Sequence, residues 1–145
     1  MFRRALRSLA ALSLLVFVSG AQAQAISYVV LKDKTFYVEL AETEAAQARG
    51  LMFREHLAPD RGMFFIFRDE DMRAFWMKNC FISLDIIYFD KSFQMVSAQT
   101  NVPPCKTPAC PSYPSSAPAM YVLELAAGTA DKLGLKPGDK VEFHR

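Results

Sequence analysis

Phe75-Trp76-Met77-Lys78-Asn79-Cys80-Phe81-Ile82-Ser83-Leu84-Asp85-Ile86-Ile87-Tyr88-Phe89-Asp90 is the stretch on which the reading of this chain turns. It holds the one Trp and sets a Lys, an Asn and an Asp among aromatic and branched side chains. Such a density of apolar groups says core. The polar groups within it then need partners or water, because a buried polar group left unpaired costs about 1 to 3 kcal/mol. From Leu84 to Phe89 both alternating faces are apolar except at Asp85, which reads as a strand. Core and candidate site therefore coincide in one segment.

Outward from that segment the pattern is mostly β. Ile26 to Leu31 and Thr35 to Leu40 are β-branched and aromatic runs separated by Lys32-Asp33-Lys34, which predicts an opening hairpin. Thr43 before Glu44-Ala45-Ala46-Gln47-Ala48-Arg49, with Gly50 after it, predicts a short capped helix. Met63 to Phe67 is a continuous apolar run suited to a strand buried on both faces. In the simplest layout it pairs with Ala74 to Met77. Asp90-Lys91-Ser92 turns the chain into a strand over Gln94 to Ala98. Gln99 to Pro118 carries six of the eight Pro and reads as one long loop. Met120 to Leu125 resumes strand character. Thr129 to Leu133 suggests one helical turn, and Lys136-Pro137-Gly138-Asp139 a type II turn into Lys140 to Phe143. The expected fold is a single α+β, β-rich domain: a compact, barrel-like, mostly antiparallel sheet of about eight strands with two short helices.

The N-terminus has the layout of a signal peptide: Arg3, Arg4 and Arg7, an apolar run from Leu9 to Val18, then Gly20-Ala21-Gln22-Ala23. The run is about ten residues where a spanning helix needs about 20. The expected organisation is a signal peptide over residues 1–23, cleaved after Ala23, and one β-rich domain over 24–145, periplasmic or secreted and without a membrane span. Removal takes three Arg and no acid from 17 bases and 15 acids, leaving 14 bases against 15 acids. With no basic stripe left, nucleic acid is not an expected partner. About 120 residues can remove roughly two-thirds of their unfolded surface from water, enough for one core.

Cys80, Cys105 and Cys110 are the cysteines. Cys105 and Cys110 bracket Lys-Thr-Pro-Ala in a chain bound for an oxidising compartment, so a local disulfide is the favoured reading. It would stiffen the loop and contribute on the order of 2 kcal/mol. A redox-active pair is disfavoured by the four-residue spacing and the lack of a following helix. Cys80 is left as a buried thiol. Zinc would need further His or Cys ligands nearby, and no metal or cofactor is expected.

Four ordered motifs carry a family resemblance: Arg49-Gly50-Leu51-Met52-Phe53-Arg54; Gly62-Met63-Phe64-Phe65-Ile66-Phe67; Phe75-Trp76-Met77-Lys78-Asn79 with Leu84-Asp85-Ile86-Ile87; and Tyr121-Val122-Leu123-Glu124-Leu125-Ala126-Ala127-Gly128. Over roughly Tyr37 to Phe143 the chain resembles the domain-of-unknown-function family numbered 192. The resemblance implies a small, often exported bacterial or archaeal domain with a barrel-like β-rich fold, and it implies no activity. This chain departs from the family's usual Thr at Cys80, and its Cys-bracketed loop is shared by only some members.

Seven residues are candidates for a site. Trp76 with Lys78 and Asn79 can form one wall of a ligand platform, joining stacking to charge; equally, Trp76 can fill the core while Lys78 reaches for water. Arg49 and Arg54 flank Leu51 to Phe53 and suit a carboxylate, phosphate or sugar acid, or are surface charges at a helix end. Asp85, an acid on an apolar strand, is expected to pair with Arg49, Arg54 or Lys78, or to hold a raised pKa. Glu124 lies on the face opposite Leu123 and Leu125, which reads as solvent-facing or as a site acid. A copper(I) site built from the Met residues is outweighed by their role as flexible core filler. The leading expectation is binding of a small polar or anionic molecule or a cell-envelope glycan. The alternatives are an envelope hydrolase using Asp85 and Glu124, and a structural module with a protein partner.

Overall fold

The computed structural model describes residues 26–145, and the expected signal segment lies outside them. Leu84–Phe89, strand β5 in chain order, is buried at every position. A strand covered on both faces needs two cores, and the rest of the chain supplies them. Its neighbours are strands β6 (Met95–Val102) and β8 (Ala119–Ala126), both antiparallel to it. Beyond β8 follow β3 (Arg61–Asp71), β2 (Lys34–Ala41), β1 (Tyr28–Leu31) and β9 (Val141–His144), giving a seven-stranded sheet in the order β6-β5-β8-β3-β2-β1-β9.

The sheet curls until its ends approach. Gln94 bridges Lys140, and the Met95 N–H donates to the Asp139 carbonyl at 2.7 Å. One core fills the curl, with Leu31, Val38, Phe64, Phe89, Leu123 and Val141 drawn from six strands. A second core lies on the outer face, built on Met63, Phe65, Ile86, Tyr88 and Val122. From Tyr121 to Leu125 along β8, Tyr121, Leu123 and Leu125 face the inner core and Val122 the outer one, as a period of two requires. Met63 and Met77 fill the outer core and Met95 the inner one.

Local chemistry sets the ends. The two-residue turn Lys32-Asp33 is left-handed at both positions, φ 51° and 60°, the geometry of a type I′ hairpin. Helix α1 (Glu44–Arg49) begins where Thr43 Oγ1 accepts the Ala46 N–H, and ends at Gly50. Helix α2 (Thr129–Leu133) runs between left-handed Gly128 and Gly134. Because β2 and β3 are parallel, the chain between them must cross a face of the sheet, and that crossover carries α1 onto the outer core. Gly62 permits the close packing of β3 on β8: a Cβ there would lie 2.5 Å from the Glu124 carbonyl oxygen.

Three expectations change. Strand β4 (Ala74–Trp76) does not pair with β3, both of whose edges are taken by β2 and β8. It pairs instead with β7 (Ser112–Pro114) in a small separate sheet. Arg73 fixes this departure, donating through Nε to the Ala119 carbonyl at 3.0 Å while its backbone N–H donates to Ser115 Oγ. The expected long loop is therefore shorter, since β6 runs on to Val102 and β7 lies within it, making nine strands among the described residues. Asp85 has no ion pair among the described residues. Its Oδ1 accepts the N–H groups of Asn101 (2.8 Å) and Gly128 (3.1 Å), and its Oδ2 that of Ala130 (2.7 Å). The fully buried carboxylate thus ties β6 and the start of α2 to β5.

Charge-assisted hydrogen bonds of this kind are worth about 1.5 to 3 kcal/mol each. Asp85→Ala is expected to lower unfolding stability by about 3 kcal/mol or more in urea titration, with hydrogen exchange rising first in α2. A loss below about 1 kcal/mol would contradict this role.

Candidate functional site

The outer core is not sealed. Between the end of α1 and strand β4 a narrow cleft runs down to Glu124, lined by Gln47, Arg49, Gly50, Met52, Trp76 and Cys80. Glu124 is 4 % exposed, and its Oε2 has no hydrogen-bond partner among the described residues. The free space of the cleft as a whole is about 20 Å³, enough for one water-sized group. Alternation along β8 does put Glu124 opposite Leu123 and Leu125, but its side is the second core, where the sequence reading allowed for solvent. Burial pushes its carboxyl up to about 8. At neutral pH it is a carboxylic acid, a donor as well as an acceptor.

Gly50 is what lets α1 end so near this group. Its backbone is left-handed (φ 47°), and an added Cβ would sit 3.4 Å from Phe65 Cζ and 3.7 Å from Glu124 Oε2. Cys80 is a buried free thiol, raised to about 11 by burial and, secondarily, by the Glu124 charge. The Tyr88 phenol is pushed above its usual range by the same two causes in the same order. It donates to the Tyr113 carbonyl and so braces the small sheet.

The mouth of the cleft is aromatic and positively charged. Trp76 is 50 % exposed, so it does not fill the core, and Lys78 Nζ lies 5.0 Å from its ring centroid. Asn79 is left-handed (φ 56°), and its carbonyl accepts the N–H of Phe53, itself left-handed (φ 64°). The Asn79 amide meets Met52 Sδ at 3.9 Å. Two strained non-glycine residues thus hold one rim in place. Phe53 and Phe81, both exposed, meet edge to face beside them. Cys105 and Cys110 are at disulfide-bonding distance, Cα to Cα 5.7 Å. Cys105 bridges Lys78, which sets the cross-linked loop against the Trp76 strand.

Of the seven candidates, Arg49, Trp76 and Glu124 line this cleft, while Lys78 lies over the Trp76 ring and Asn79 against Met52. Arg54 turns away and grips the Glu39 carboxylate at 2.7 and 2.5 Å, lining a separate groove with Tyr37, His56 and Arg61. Asp85 is also elsewhere. It lies opposite Leu125 in the β5–β8 register while Glu124 lies opposite Ile86, so the two carboxylates project from opposite faces of the sheet. They cannot flank one bond as an acid–base pair. Sequence reasoning missed Gly50, Met52 and Cys80. The signal available was Arg49-Gly50-Leu51-Met52, where a Gly ends a helix beside a charged residue.

A curled β-sheet domain with a small second sheet and one acid-floored cleft is the class this architecture defines. The chain belongs to the domain-of-unknown-function family 192, whose model, described as an uncharacterised ACR, matches residues 28–143. Among solved structures it is similar to a protein of unknown function from Novosphingobium aromaticivorans DSM 12444, with 39 % identity over 92 % of this chain and 94 % of that one, TM-score 0.73. It is also similar to a protein from Sinorhizobium meliloti 1021 provisionally assigned as a transcription regulator, with 33 % identity over 81 % and 91 %, TM-score 0.72. No match was found among curated proteins.

The raised Glu124 pKa makes stability depend on pH. Between 4.5, its ordinary value, and about 8 the folded protein keeps a proton that the unfolded chain has released. The stability this group supports is therefore greatest below 4.5 and falls as pH rises towards about 8, by at most about 1.4 kcal/mol per pH unit. Glu124→Gln is expected to remove that decline and to raise the thermal midpoint above wild type at pH 8.5. Parallel pH profiles for the two proteins would overturn the assignment.

Proposed function

We propose that the protein is an exported binding module for a small polar or anionic molecule or a cell-envelope glycan, held in the cleft over Glu124. The observation that carries the reading is a buried carboxyl that lines the cleft and whose Oε2 meets no donor or acceptor among the described residues. Leaving such an atom unpaired costs about 1 to 3 kcal/mol, and a ligand group in the cleft recovers it. Trp76 offers a half-exposed face for stacking. Arg49 and Lys78 supply charge at the mouth, and Asn79 fixes the rim through Phe53. No metal, cofactor or nucleic acid enters this reading. Export rests on the N-terminal sequence pattern. No helix among the described residues is long and apolar enough to cross a membrane.

The single Trp gives the test a local signal. Titrating sugars, sugar acids, peptidoglycan fragments and small organic acids is expected to produce a saturable shift of Trp76 fluorescence with one class. Lys78→Ala should weaken it about tenfold, and Arg54→Ala, outside the cleft, should leave it unchanged. A silent panel overturns the reading and moves the function to a protein partner.

A further inference from the structure

We propose that the occupant of the Glu124 cleft is a six-membered sugar ring bearing a carboxylate, with its ring on Trp76 and its carboxylate between Arg49 and the Glu124 carboxyl. This rests on the binding reading above and narrows it to one ligand class.

The floor of the cleft selects the group that enters. Glu124 Oε2 lacks a partner among the described residues, and the cleft that Glu124 lines has free room for a single oxygen-sized group. From α1, Arg49 and Gln47 line the cleft; from the turn after β4, Cys80; from β5, the Tyr88 phenol is close enough to feel the Glu124 charge. The Tyr88 hydroxyl is already spent on the Tyr113 carbonyl. Burial keeps the Cys80 thiol protonated. Arg49 is thus the one permanent charge lining the cleft among the described residues, and Lys78 adds a second over the Trp76 ring. No carboxylate other than Glu124 lines it among the described residues. A cationic ligand would meet two like charges. An anionic acceptor meets two cations and, at the floor, a carboxyl that donates its proton into a hydrogen bond.

The wall selects the shape. Lys78 Nζ already sits 5.0 Å from the Trp76 ring centroid, while the side chain remains half-exposed. A planar apolar surface backed by a cation suits a ring with one C–H face and an acidic substituent. A linear dicarboxylate would satisfy the charges and leave the indole face wet.

Three gluco-configured pyranoses of different charge test this: glucuronate, glucose and glucosamine, each titrated into the purified protein with Trp76 fluorescence and calorimetry. Glucuronate is expected to bind at least about tenfold more tightly than glucose at pH 7, with glucosamine weakest. The glucuronate affinity should fall about tenfold between pH 7 and pH 9 as the Glu124 proton is lost, each pH unit past the pKa removing a factor of ten. In Glu124→Gln, whose amide donates at every pH, the affinity should be flat across that range. Glucose binding as tightly as glucuronate overturns the acidic-ring inference and leaves the binding reading standing. A glucuronate affinity in wild type that does not change with pH overturns the role of Glu124, whatever the variant does. No binding by any of the three overturns this inference, and a silent wider panel takes the binding reading with it.

Discussion

Burying β5 on both faces is the constraint from which the rest of the molecule follows. Six successive residues, Leu84 to Phe89, are withdrawn from water, and each face asks for its own cover. The inner face is covered by the sheet's own curl, drawing Phe64, Leu123 and Val141 together. The outer face cannot be covered that way. It is roofed by α1, carried over on the parallel crossover, and by β4, held off the main sheet by Arg73. Where these two pieces of roof approach, they leave a gap, and Glu124 is what lies beneath it. The cleft is a by-product of how the second core is closed, and β8 needs only its ordinary alternation to put a carboxyl there.

The two buried acids have opposite characters for the same geometric reason. Asp85, on the inner side, reaches backbone N–H groups at a helix start and a strand end, so its charge is met by fixed donors. Glu124, one residue away in register and on the other face, finds only side chains of the outer core. One carboxylate is a structural tie. The other is an unspent polar group, and unspent groups in clefts are where ligands act.

Much of the fold is legible in the sequence because it is written locally. Lys32-Asp33 fixes a hairpin, Thr43 and Gly50 bound a helix, and Pro137-Gly138 makes a turn, each through the backbone preferences of a few residues. What is not legible depends on partners distant in the chain. Nothing in Val38 or Phe64 records that their strands run parallel, and so nothing records that α1 crosses the outer face. The donors to Asp85 are backbone groups of Asn101, Gly128 and Ala130, which carry no side-chain signature. Trp76 sits in an apolar run that reads as core, yet β4 is only three residues long and lies at the outer layer, so its alternation leaves the indole half in water. Glu124 was legible in its facing and not in its depth, because period two says which side a residue takes and not what lies over it.

The incomplete closure of the curled sheet has a consequence for how copies of the protein meet. Gln94 and Lys140 join the two ends at one corner, and the outward side of β9 remains a strand edge. Bare edges recruit further strands and lead to aggregation. Here the edge carries Lys140, Glu142, His144 and Arg145, all exposed, with Arg145 drawn aside onto Glu42 and His144 stacked on Tyr28. Another copy docking edge to edge would have to strip water from those polar side chains and break both contacts. The open side of the barrel is thereby kept soluble by charge where a complete ring would have kept it so by hydrogen bonding.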